Sequence, residues 1–262
     1  MSIPFYKYQG TGNDFVLIDD RSKTFPVSKA LIASICHRRF GVGSDGLILL
    51  QNAEGYDFKM VYFNADGGEG SMCGNGGRCV VRFANDLGLF SDSTKFIAVD
   101  GEHEASVSDD TIRLKMSNVQ GVEQYDEFDF INTGSPHYVT YVDHIEDVDV
   151  VNIGSDIRYG SVYGPKGGTN VNFVEVIEDN HLSVRTYERG VEDETYSCGT
   201  GVTACALSAH LHKGWAGPVT VETIGGTLEV AYQETAPGEF NDIYLIGPAV
   251  KVFEGNLDLP SL

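Results

Sequence analysis

The stretch "SMCGNGGRC", residues 71–79, sets a cysteine among glycines directly ahead of what reads as a helix, and "SCGTGVTAC", residues 197–205, repeats it at an offset of 125. The match extends outward from both cysteines. Upstream lie the strand-like runs "FKMVYFN" (58–64) and "HLSVRTYER" (181–189), in register so that Asn64 falls opposite Arg189. Downstream, "GRCVVRFANDLG" (77–88) and "GVTACALSAHLHKG" (201–214) read as helices with glycine stops at Gly88 and Gly214. Then come β-rich segments, "KFIAVDGEHEASV" (95–107) and "TIRLKM" (111–116) against "VTVETIGGTLEVA" (219–231) and "DIYLIG" (242–247). Nearer the start of each half, "TGNDFVLID" (11–19) resembles "TGSPHYVTYVD" (133–143) at an offset of 122. A long unit present twice is a duplicated domain and not a solenoid. The order of elements predicts two similar α+β domains, 1–118, joined by the C-terminal segment 249–262, and 119–248, with the junction in the polar stretch "SNVQGVEQYDEF" (117–128). Ahead of Cys73 one helix is expected, "SKALIASICHRRF" (28–40), with Ser28 as its N-cap.

The 262 residues suffice for two domains with real cores, and a hydrophobic share of 42% is ordinary for a globular chain. A net charge of −20 argues against nucleic acid or an anionic membrane as partner, and an anionic ligand would need a local positive device. No segment approaches the roughly 20 apolar residues of a membrane span, and the start "MSIPFYKYQG" does not read as a signal peptide. The expected location is the cytoplasm. There the five cysteines, Cys36, Cys73, Cys79, Cys198 and Cys205, read as free thiols.

A helix N-terminus offers unpaired N–H groups and the positive end of the macrodipole. Glycines let an anion approach that backbone, and a thiol placed there ionises more readily. Two such thiols, Cys73 and Cys198, suit cofactor-free racemisation: one thiolate removes a proton from a carbon and the other thiol delivers one to its opposite face. The helix N-termini would stabilise the charge that develops on an adjoining carboxylate. Cys79 and Cys205 fall inside the helices and read as core, as does Cys36. The spacings C-x₅-C and C-x₆-C do not suit a structural zinc site, so no metal is expected.

At these residues the sequence resembles the diaminopimelate epimerases. "GTGNDFVLID", "FNADGGEGSMCGNGGRC", "NTGSPHYV" and "YERGVEDETYSCGTG" occur in that family's order over nearly the whole chain. The resemblance implies an α+β fold of two pseudo-symmetric duplicated domains, each a curved, mostly antiparallel sheet or barrel around a central helix. It also implies conversion of L,L- to meso-diaminopimelate without metal or cofactor, in lysine and peptidoglycan precursor synthesis, by a cytoplasmic homodimer. By position, Cys198 would be the base and Cys73 the acid. Gly74, Asn75, Gly199 and Thr200 would hold the reacting carboxylate. His137 and Glu188 would assist at the reacting end, Arg189 would bind the distal carboxylate, and Asn13, Asn64 and Asn170 would recognise the distal amino-acid end. Two positions depart from the family's usual pattern. Gly46 stands where many members carry glutamine, and Ser135, a weaker substrate-binding assignment, stands where asparagine often precedes Pro-His. The alternatives are a racemase or epimerase of another amino acid, against which Arg189 and the three asparagines argue for a second zwitterionic end, and a thiol-redox or amino-acid-binding protein that has lost turnover. Such a loss would normally show as a damaged acid–base pair, whereas here both cysteines remain.

Overall fold

The computed structural model describes residues 2–70 and 72–258; of the C-terminal segment 249–262, residues 259–262 lie outside them. The chain divides into two compact units, Met1–Leu114 with Pro248–Leu262, and Lys115–Gly247.

In the first unit the elements follow as β1 (Ser2–Gly10), β2 (Asn13–Asp19), α1 (Lys29–Cys36), β3 (Gly46–Gln51), β4 (Phe58–Asn64), α2 (Gly74–Asp86), β5 (Ser93–Ala98), β6 (Gly101–Ser108) and β7 (Thr111–Lys115). In the second they are β8 (Val122–Gln124), β9 (Asp129–Asn132), β10 (Pro136–Tyr141), α3 (Val150–Tyr159), β11 (Asn170–Glu178), β12 (His181–Glu188), β13 (Asp193–Thr195), α4 (Gly199–Lys213), β14 (Val219–Thr223), β15 (Gly226–Ala236) and β16 (Glu239–Pro248). A last strand, β17 (Val250–Asp258), returns to the first unit and pairs antiparallel with β1.

The pairing scheme is the same in both units. β1–β2 is antiparallel, β2–β3 parallel, β3–β4 antiparallel, β4–β5 parallel, and β5–β6–β7 an antiparallel meander. β9–β10, β10–β11, β11–β12, β12–β14 and β14–β15–β16 repeat that alternation in order. A parallel pair needs a crossover, usually a helix. The helices are those crossovers: α1 and α3 serve the first parallel pair of each unit, α2 and α4 the second.

Each sheet curves around its second helix. α2 packs against β1, β2, β3, β6 and β17, and α4 against β9, β10, β11, β12, β14 and β15. Strands from distant places in the sheet thus touch one helix, so the sheet wraps it. The runs "FVLI" and "LILL" in β2 and β3 are apolar without alternation because both faces are covered. Val16, Ile18, Leu47 and Leu49 join the core that holds Ile32 and Ile35 of α1, while Phe15 and Ile48 line the α2 side at Gly76.

The helix expected over 28–40 is shorter, ending at Cys36, although Ser28 caps it as expected, its hydroxyl accepting from the Leu31 N–H. The His37 ring takes the N–H groups of Arg39 and Phe40 through Nδ1, and Arg38 is drawn to Asp14 and Asp45. α2 and α4 begin earlier than the 77–88 and 201–214 readings, at Gly74 and Gly199, which makes each cysteine the N-cap. Among the described residues no helix is long and apolar enough to cross a membrane.

Candidate active site

In the first unit the expected residues gather where β2 and β3 begin, β4 ends and α2 begins. Register places Gly46 beside Phe15 and opposite Asn64. Cys73 is extended (φ −108°, ψ 130°) and its sulfur takes no capping bond from the helix. The Cys73 Sγ lies 3.6 Å from Asn13 Oδ1, an oxygen that also faces Asn75 Nδ2 at 3.4 Å. Asn13 cannot flip, because its Nδ2 donates to Asp45 Oδ2 at 2.6 Å and a carboxylate only accepts. The thiol therefore faces a carbonyl oxygen, to which S–H donates. Behind this contact Asp14 and Asp45 are neutralised by Lys7 and Arg38. Burial works against the Asp14 charge, but Arg38 and Lys7 together hold its carboxyl down at about 2. Asn64 is exposed at the end of β4, and among the described residues its side-chain amide has no hydrogen-bond partner.

The glycines of the motif have separate reasons. Gly74 and Asn75 are buried in the first turn of α2. A Cβ on Gly77 would lie 2.7 Å from Met72 Cε and 2.9 Å from Leu114 Cδ2. A Cβ on Gly46 would lie 2.5 Å from Tyr62 Cε2 and 2.6 Å from the Phe63 carbonyl oxygen. The Tyr62 ring fills the room that a longer residue at position 46 would need.

In the second unit His137 and Asn170 are paired by register where β10 and β11 begin, Glu188 ends β12 with Arg189 next in the chain, and Cys198 caps α4, which opens with Gly199 and Thr200. His137 is fully buried, with Nε2 2.9 Å from Thr200 Oγ1 and Nδ1 3.1 Å from Asn172 Nδ2. Asn172 fixes the tautomer. Its Nδ2 also donates to the Tyr138 carbonyl (2.9 Å), and its Oδ1 accepts from Thr186 Oγ1 (3.0 Å), so nitrogen and not oxygen faces the ring. His137 Nδ1 is then an acceptor, Nε2 carries the proton, and Thr200 Oγ1 accepts it. The Thr200 hydroxyl proton is left to point at Cys198 Sγ, 3.5 Å away. Burial pulls the His137 imidazole down to about 3, so it stays neutral. A Cβ on Gly201 would lie 2.4 Å from Asn172 Oδ1, so the glycine makes room for this chain of donors.

Asn170, Ser135 and Arg189 form the other cluster of this half. Asn170 Nδ2 donates to Ser135 Oγ and to the Pro136 carbonyl, both at 2.9 Å. Its Oδ1 accepts from the Arg189 backbone N–H at 2.9 Å, and Arg189 Nη2 lies 3.4 Å from Ser135 Oγ. The Arg189 side chain is exposed. Asn172, Thr186 and Asp45 are absent from the expected set. The spacing Asn170-x-Asn172 was the available signal for one of them, since it puts both side chains on one face of a strand. Cys79 and Cys205 are fully buried, and burial pushes the Cys79 thiol up to about 12. Among the described residues no group of three or more His, Cys, Asp or Glu side chains could hold a metal ion.

The sequence profile described as diaminopimelate epimerase matches residues 5–122 and 130–252. The diaminopimelate epimerase of Flavobacterium psychrophilum is 50% identical over 252 residues, covering 95% of this chain and 98% of its own. That of Chlorobaculum tepidum is 43% identical, with 95% and 99% covered. Among solved structures, a phenazine biosynthesis protein of the PhzF family from Bacillus anthracis superposes with a TM-score of 0.78 at 15% identity, covering 99% of this chain and all of that one. A hydroxyproline epimerase from Agrobacterium vitis superposes at 0.68 with 14% identity, covering 98% and 92%. At these identities the two structures show a shared fold and nothing finer.

Proposed function

The chain belongs to the diaminopimelate epimerase family, and from that premise we propose that it epimerises L,L-diaminopimelate to the meso isomer by a two-thiol acid–base mechanism, in lysine and peptidoglycan precursor synthesis. The observation that carries the reading is the placement of Cys73 and Cys198 as N-caps of corresponding helices in the two repeats. No redox change or group transfer is involved. Cys198, as thiolate, takes the Cα proton, and the Cys73 thiol returns a proton to the opposite face of the same carbon. The reverse direction exchanges the roles.

Each half contributes beyond its thiol. The first amides of α2 and α4, at Gly74 and Asn75 and at Gly199 and Thr200, bind the α-carboxylate as charge flows into it, because unpaired helix N–H groups are preorganised for an anion. The neutral His137 does not compete with the thiols for the proton. Through Thr200 it supports Cys198 when that sulfur is anionic. Glu188 takes the substrate ammonium, Arg189 the distal carboxylate, and Asn13, Asn64, Asn170 and Ser135 the distal amino-acid end. In a chain of net charge −20, Arg189 with the two helix N-termini forms the local positive device that a dicarboxylate requires. The reading includes a homodimer, as is common in the family, working in the cytoplasm, where free thiols stay reduced.

The test is incubation of the reduced protein with L,L-diaminopimelate in D₂O. Deuterium at Cα together with meso product is expected, and Cys73→Ala or Cys198→Ala should lower the rate by at least about 10²-fold. Full activity in either variant would sink the two-thiol mechanism.

A further inference from the structure

Arg78 is the largest of the fully buried side chains and lies in α2 one turn after Gly74, the residue that follows Cys73. A buried arginine is ordinarily paired with a carboxylate. Arg78 has none among the described residues. Its partners are neutral oxygens: Nη2 donates to Thr11 Oγ1 at 3.1 Å, Nη1 reaches the Gly74 carbonyl at 3.4 Å, and Nε the Pro248 carbonyl at 3.4 Å. Gly10 leaves room for it, since a Cβ there would lie 3.2 Å from Nη2.

Apart from Asp258, the last residue of β17, the charged groups on the elements packed against α2 are matched elsewhere, Asp19 of β2 with Arg21. Lys7 of β1 and Asp14 of β2 pair with each other and, through Arg38, with Asp45. Asp86 at the far end of α2 is held by Arg82 and by the Tyr8 hydroxyl. On β6, Glu102 and Glu104 are paired with Lys95 and His103 with Asp100, and on β17 Lys251 pairs with Glu254. Burial lowers the Arg78 guanidinium, and the groups that counter this are Cys79 and Cys73. Cys79 is kept protonated by its own burial, which leaves the sulfur of Cys73 as the anion this cation can serve.

The second repeat has no arginine at the equivalent place. At the same offset of 125 stands Thr203, whose buried Oγ1 donates to the Gly199 carbonyl at 2.9 Å, the counterpart of the Gly74 carbonyl that Arg78 reaches. Around Cys198 the support is of another kind: the Thr200 hydroxyl points at its sulfur, and the Arg189 charge reaches the neighbouring His137.

We propose that Arg78 is a positioning residue for the reaction: its buried, carboxylate-free guanidinium at the start of α2 eases ionisation of the Cys73 thiol against the Asn13 carbonyl that favours its protonated form, whereas Cys198 is served by the Thr200 hydroxyl. In the meso-to-L,L direction Cys73 is the base, and Arg78 favours the thiolate which that direction needs. That catalytic consequence rests on the function proposed above; the effect of Arg78 on the Cys73 thiol does not.

The test reads the pH midpoint of iodoacetamide alkylation at Cys73 by mass spectrometry, in Cys198→Ala protein, so that this thiol titrates without its counterpart. Adding Arg78→Met should raise the Cys73 midpoint by about one pH unit or more, and Arg78→Lys, which keeps a cation, should restore most of it, with thermal melts checking that both variants fold. A Cys73 midpoint at or above the ordinary thiol value of about 8.5 overturns the proposal even if no Arg78 variant folds. So does an unmoved Cys73 midpoint in folded Arg78→Met, or a lysine that rescues nothing. Turnover of diaminopimelate by the unsubstituted protein tests the function separately, so either inference can fail without the other.

Discussion

His137 is engaged at both ring nitrogens and shut away from water, and this fixes both its proton and its charge. Its imidazole titrates near 3 in the folded chain, against an ordinary value of 6.5. Between those two values the unfolded chain binds a proton that the folded chain refuses. Stability therefore rises with pH across that window, is fully present above 6.5, and is lost as pH falls toward 3. Removing the ring should remove that share of the slope. In denaturant titrations from pH 4 to 7, His137→Gln is expected to show a shallower dependence of unfolding free energy on pH than the unsubstituted chain. Equal slopes would mean that the ring is protonated in the folded protein, and the donor chain from Asn172 to Cys198 would have to be redrawn.

The first turns of α2 and α4 are where backbone, packing and chemistry meet. In isolation, alanine favours a helix over glycine by about 1 kcal/mol. At position 201 the added Cβ would press on Asn172 Oδ1, and overpacking of this kind costs about 1–3 kcal/mol. Packing wins. Gly201→Ala should lower the melting temperature and, by displacing Asn172, slow turnover as well; a higher melting temperature would show that Asn172 yields freely. Much of this region was legible in the sequence, because a duplicated cysteine before a helix, flanked by alternating strands, is a local pattern. The helix starts were misplaced by two or three residues because glycines weaken the helical signal where their real role is close packing. α3 went unforeseen for a similar reason. Its sequence "VVNIGSDIRY" holds β-branched residues and Gly154, whose Cβ would lie 2.4 Å from the Cβ of Tyr187. Asn172 and Arg78 act through partners 35 and 67 residues away, and no local pattern announces such partners.

The duplication accounts for the order of the strands and exposes one asymmetry. β8 pairs with β9 at the edge of the second unit and directly precedes it in the chain. Its counterpart in the first unit is β17, which pairs with β1 from the other end of the sequence. β17 also packs against α2, the helix that Cys73 caps. Ending the chain after Pro248 should therefore loosen the first unit and spare the second. Hydrogen exchange is expected to show lost protection in β1 and α2, with β10, β11 and α4 unchanged. Undiminished protection of α2 would mean that β17 is an accessory edge and not part of the first core. The same strand order governs how the protein emerges during translation. The second unit has all its strands, beginning with β8, before β17 leaves the ribosome, whereas the first must wait, with β1 unpaired along one edge, until the whole of the second has been synthesised. The nascent chain thus matures from its later half to its earlier one, against the usual N-terminal-first course of multidomain chains.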